Sequence, residues 1–145
     1  MKRFDHVSHV LAMIPVLLLA SSAQIKSAPR AAKPSDYSFT VNAERLWTDT
    51  GLDFEAGDRV HIYGTVLACE GPTRREKAHL PVPSAAGGAL LAKLHGEANP
   101  IVATPDADLP IIDPSHLYLG INGWHCHGSV KARVHVEWRK LAEKE

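Results

Sequence analysis

The chain has 145 residues, and its 16 Lys and Arg balance 16 Asp and Glu, so the formal charge is zero and no basic footprint for nucleic acid exists. Loss of Lys2, Arg3 and Asp5 with an N-terminal leader keeps it close to neutral, and no polybasic membrane patch emerges. The stretch 37–138 suits one hydrophobic core and is too short for two.

Lys2 and Arg3 precede an apolar run at 10–20, followed by the small residues Ser21, Ser22 and Ala23. The run is roughly half of the about 20 residues that a membrane-spanning helix needs. Residues 1–23 are therefore expected to be a secretory signal peptide cleaved after Ala23, leaving a secreted or periplasmic protein with no stable membrane insertion. No cysteine near that point offers a lipid anchor. Residues 24–36 lack periodicity and are expected to form a flexible leader. The two cysteines of the chain, Cys69 and Cys126, form an even pair bound for an oxidising compartment, where a disulfide is the default expectation and two buried thiols the alternative.

Strand patterns dominate 37–138. Residues 37–43 alternate with Phe39 and Val41 on one face. Ala56, Gly57 and Asp58 form a turn, and 59–67 then place Val60, Ile62 and Val66 opposite Arg59, His61, Tyr63 and Thr65. Gly64 falls on the apolar face, where a bulge or a close sheet contact is expected. Residues 70–88 carry three prolines and three glycines and form a long loop. Residues 89–94 suit a strand or a short helix, and their brevity and flanking glycines favour strand. Residues 95–99 make a turn, with short strands at 100–103, 109–112 and 117–121. The row Val130, Ala132, Val134, Val136 and Trp138 alternates with Lys131, Arg133, His135 and Glu137, which defines a last strand with one buried face. Residues 139–145 are a polar tail. Short strands separated by turn signals, without a convincing amphipathic helix, define an all-β, two-sheet sandwich.

Enzymatic signatures are missing: there is no G-x-S-x-G elbow, no phosphate loop and no H-E-x-x-H. Asp106, Asp108 and Asp113 cluster in a proline-bounded segment and are expected to be solvated loop acids. His61, His95, His116 and His135 fall on polar faces or turns and have the look of ordinary surface residues. Trp47 and Trp138 suit the core or its rim.

Several segments in order, FTVNA at 39–43, TDTGLDFEAGD at 48–58, EGPT at 70–73, GGALLAKLHG at 87–96, LYLGING at 117–123 and GSVKARVHV at 128–136, resemble the galactose-binding-like jelly rolls of the PA-IL type, a family of calcium-dependent galactophilic lectins. The resemblance spans nearly all of 37–138. It implies a jelly-roll sandwich with its ligand site where the loop after the 59–67 strand meets the loop before the final strand. In that family an Asp and two Asn side chains of the second loop join a backbone oxygen of the first in holding calcium. Here Asn122 matches, Gly123 stands where the aspartate is expected, and the Asn pair is missing. Calcium takes six to eight oxygens, so the family's ion is not expected and no cofactor is implied. The resemblance brings Cys69 and Cys126 near the ion's place, where a disulfide would pin the loops instead.

Trp124, His125 and His127, with help from His79 and with Asn122 behind them, are the expected ligand contacts. Trp124 suits either stacking on a sugar ring or covering the end of the sandwich. His125 and His127 flank Cys126 and in an extended segment point one way. As an H-x-H pair they supply two ligands, and a zinc or copper site would need a third, from His79 or Asp106; solvated loop histidines are the plainer reading, and no metal is expected. The functional expectation is a secreted, non-catalytic module that binds a carbohydrate or another surface ligand. The alternative is an envelope structural or protein-interaction domain with no sugar ligand.

Overall fold

A computed structural model describes residues 33–139, apart from positions 72, 97 and 124. The expected signal peptide at 1–23, most of the 24–36 leader, all of the tail beyond Arg139, and Trp124 lie outside the described residues.

The described chain is all-β. Eight strands run in order: β1 (Ser35–Asn42), β2 (Thr48–Phe54), β3 (Arg59–Gly64), β4 (Leu90–Lys93), β5 (Ile101–Val102), β6 (Asp106–Pro110), β7 (Ser115–Ile121) and β8 (Ser129–Glu137). One four-residue helix, α1 (Arg74–Lys77), interrupts the connection between β3 and β4. The strands form two four-stranded antiparallel sheets, ordered β1-β8-β3-β6 and β2-β7-β4-β5. No described helix is long and apolar enough to cross a membrane.

Alternation along each strand builds the core. Val41, Val60, Ile62, Val130, Ala132, Val134 and Val136 of the first sheet pack against Phe54, Leu90, Ala92, Leu117, Leu119 and Ile121 of the second. Burial of such side chains, roughly 1.5–3 kcal/mol each for the larger aliphatics, makes this interface the main source of stability. Gly64 makes the expected close contact, because a β-carbon there would collide with Leu90 of the facing sheet. The buried carboxylate of Asp58 ties the β2–β3 turn to the chain leaving β8, accepting from the backbone N–H groups of Glu55 and Arg139 at 2.8 Å each.

The strands depart from the sequence reading chiefly in four places. β1 starts at Ser35, inside the expected leader, because Ser35 to Asn42 pair continuously with β8. β3 stops at Gly64, and Val66 is 53% exposed, not part of the inward row. The expected 109–112 strand lies at Asp106–Pro110, so Asp106 and Asp108 belong to a strand and Ile112 stands exposed beyond it. β2 is the strand that hydrophobic alternation does not announce: Thr48, Thr50 and Leu52 take its inward positions, and a register irregularity separates Asp49 from Asp53.

Register sets polar rows across the outer face of the first sheet. Asp36 pairs with His135, His135 with His61, and His61 with Asp108, so the four stand side by side on β1, β8, β3 and β6.

Candidate functional site at the disulfide end

The loop after β3 and the loop before β8 meet at one end of the sandwich. Backbone bonds hold them there: Leu67 N–H donates to Gly88, Gly88 N–H to Asn122, and Asn122 N–H to Ala89, each at 2.8 Å. Cys69 and Cys126, 57 residues apart in sequence, are joined as a disulfide with their Cα atoms 5.0 Å apart, inside the range a bridge requires. Two glycines make the approach feasible. Gly88 adopts φ +83° and a β-carbon there would strike Leu67 O, while one at Gly123 would strike the Cys126 sulfur.

Asn122, expected as a ligand contact, instead lies fully buried behind the site. Its carbonyl oxygen accepts from Val82 N–H at 3.1 Å, and its amide donates to Val82 O and Ala86 O at 3.0 Å each. A buried amide is tolerated only when its donors and acceptors are matched. Here the matching shapes the 82–86 turn, so Asn122 is a scaffold for the loop and offers no surface to a ligand.

The front of the site is a cavity of about 280 Å³ floored by the disulfide and Leu80, with Glu70, Thr73, Glu76 and His125 at its polar wall. α1 positions Glu76 through a capping box. Thr73 Oγ1 accepts from Glu76 N–H at 3.3 Å, and Glu76 Oε2 accepts from Thr73 N–H and from its hydroxyl at 2.7 Å each. These bonds from Thr73, chiefly the hydroxyl's, hold the Glu76 carboxyl below its ordinary value, and the nearby His125 adds a smaller electrostatic push in the same direction. The cavity thus gathers two carboxyl groups, a hydroxyl and an imidazole beside the apolar disulfide and Leu80, which suits a ligand with hydroxyl or ammonium donors on one side and an apolar face on the other.

The other expected contacts separate. Of the five, His125 lines the cavity, whereas exposed His127 sits with Nδ1 3.9 Å from the Glu44 carboxylate, toward the β1–β2 connection. The two imidazoles thus have different neighbours, the cavity for His125 and the Glu44 carboxylate for His127. His79 is exposed on the turn after α1, its N–H bonded to Glu76 O at 3.0 Å, and it is not part of the cavity wall. Glu70, Thr73 and Glu76 escaped the sequence reading. The T-x-x-E spacing at Thr73–Glu76 was the available signal, hidden in a stretch whose prolines and glycines suggested no regular structure.

A second polar constellation lies on the other sheet. His116 on β7 sits between two carboxylates of β2, with Nδ1 2.6 Å from Asp53 and Nε2 2.6 Å from Asp49. Asp53 foremost, then Asp49, raise the His116 pKa, and the bond from His116 lowers that of Asp49. The histidine is a clamp across the β2 irregularity, not an ordinary surface residue.

The chain matches no known protein family model, no curated protein and no solved structure.

Proposed function

We propose that this chain is a secreted or periplasmic, non-catalytic binding module that takes a carbohydrate in the cavity at the disulfide end, on a jelly roll similar to the PA-IL type. The jelly-roll reading is supported by the pairing of β1 with β8, β2 with β7, β3 with β6 and β4 with β5. That pattern is one long antiparallel ribbon wrapped into two sheets. A disulfide is compatible with an oxidising compartment outside the cytoplasm, and N-terminal sequencing of the exported protein is expected to begin near Gln24.

The observation that carries the functional reading is the cavity itself, where two loops far apart in sequence are pinned face to face by Cys69 and Cys126. Glu70 and Glu76 accept from sugar hydroxyls, His125 completes the polar wall, and Trp124, between Gly123 and His125 in sequence, supplies the stacking face. Without an ion to coordinate hydroxyls directly, binding is weak and independent of calcium. A glycan array run with calcium and again with a chelator tests this: the expected result is the same set of weakly bound glycans in both. An array with no bound glycan overturns it in favour of a structural or protein-interaction role.

A further inference from the structure

We propose that the outer face of the β1-β8-β3-β6 sheet carries a site for a late divalent transition metal, copper(II) foremost, ligated by His61 and His135. The site is separate from the disulfide-end cavity. His61 and His135 are direct cross-strand partners on β3 and β8, and directly opposed side chains on one face of an antiparallel pair have β-carbons about 4.5–5.5 Å apart. Their ring centres are 6.3 Å apart. With metal–nitrogen bonds of about 2.0 Å and roughly 1.2 Å from ring centre to nitrogen, two imidazoles on one ion have centres at most about 6.4 Å apart. The observed 6.3 Å matches nearly linear, trans ligation, and cis ligation, with ring centres about 4.5 Å apart for the same bond lengths, requires the two side chains to rotate toward each other.

A carboxylate flanks each imidazole on its outer side. Asp36 Oδ1 is 2.9 Å from His135 Nδ1, and Asp108 Oδ1 is 3.6 Å from His61 Nε2. The Asp36 contact is within hydrogen-bond reach, the way a carboxylate orients a metal-bound histidine through its other ring nitrogen, whereas the Asp108 contact is a longer electrostatic one. Tyr63 lies beside His61 on the same face, with ring centres 6.5 Å apart. On the three rows around the pair, Asp36, Asp106, Asp108 and Glu137 outnumber Arg59 and Arg133, and Arg59 is itself engaged with Asp108 at 3.1 Å. Among the described residues no three His, Cys, Asp or Glu side chains are gathered so as to hold a metal. Two imidazoles therefore anchor the ion, with water or a rotated carboxylate completing a tetragonal sphere. That geometry favours copper(II), which also heads the divalent affinity order.

Copper(II) chloride titrated into the purified protein tests the site. The expected result is one ion per chain, an electron paramagnetic resonance signal with two imidazole nitrogens, and early NMR broadening of residues 36, 61, 108 and 135. His61→Asn and His135→Asn are each expected to weaken binding at least tenfold, and Asp36→Asn to weaken it less, with His95→Asn unchanged. Near-UV circular dichroism checks that the variants fold. Broadening centred on His125 or His127, or undiminished affinity in both folded single variants, overturns the proposal, as does failure of the unmodified protein to bind. The broadening pattern is read on the unmodified protein, so a variant that fails to fold does not remove the test.

Discussion

Replacing Asn122 tests whether the back of the cavity is held by one side chain. Asn122→Ala removes the acceptor for Val82 N–H and the donors to Val82 O and Ala86 O. A hydrogen bond contributes about 1 kcal/mol net, and a buried backbone group left bare costs about 1–3 kcal/mol. Val82 is half-buried and Ala86 exposed, so water reaches part of what is left behind. The expected loss is therefore about 2–4 kcal/mol rather than the full sum of three bare groups. For a domain of this size, that lowers the melting temperature by roughly 10–25 °C. Asn122→Asp is the sharper variant. It keeps the acceptor for Val82 N–H but turns a carboxylate oxygen toward the carbonyls of Val82, Ala85 and Ala86, so at neutral pH it is expected to be at least as damaging as alanine. In acid the protonated carboxyl can donate again, and part of the loss is expected to return. Urea unfolding of the three proteins at two pH values measures both effects. A loss below about 1 kcal/mol for Asn122→Ala would mean that backbone bonds alone hold the 82–86 turn, and would refute the reasoning.

Cys69→Ser or Cys126→Ser opens a loop of 57 residues, which the chain-entropy model values at about 4 kcal/mol; denaturant unfolding with and without reductant measures it, and equal stability in both would contradict the assignment. The His116 clamp has a pH signature. The raised His116 pKa gives stabilisation complete below the ordinary value of 6.5 and lost as pH rises through the raised one. The lowered Asp49 pKa gives stabilisation present above the ordinary 3.8 and lost as pH falls through the lowered one. The stability gap between the parent and His116→Gln is thus widest between those two ordinary values, and a gap that ignores pH rules the clamp out. Trp124→Ala is expected to abolish glycan binding with the melting temperature nearly unchanged, and a large drop in melting temperature marks Trp124 as a packing residue instead.

What was legible in the sequence follows from how strongly each strand contrasts its two faces. β8 and β3 announce themselves because valine and isoleucine alternate with charged residues, and burial follows that alternation closely. β2 does not, since threonine carries no clear signal of facing inward. The disulfide was legible from the count of cysteines and the expected compartment. The cavity wall was not: Glu70 and Glu76 look like loop acids until the fold brings them to the same cavity as Cys126, and Asn122 looks like a ligand until its amide is found to be occupied.

Side chains that read as unrelated in sequence gain meaning from strand order. Asp36, His61, Asp108 and His135 are separated by up to 99 positions, and each alone is a polar residue on a polar face. Placing β8 between β1 and β3, with β6 beyond, turns them into a single row of carboxylate, imidazole, imidazole and carboxylate. A slip of one residue in any of these pairings would send that strand's polar members into the core, at a cost that the valine rows forbid. The same hydrophobic pattern that closes the sandwich thus determines which histidines become neighbours. The outer sheet face therefore has a defined chemistry even though no local motif encodes it.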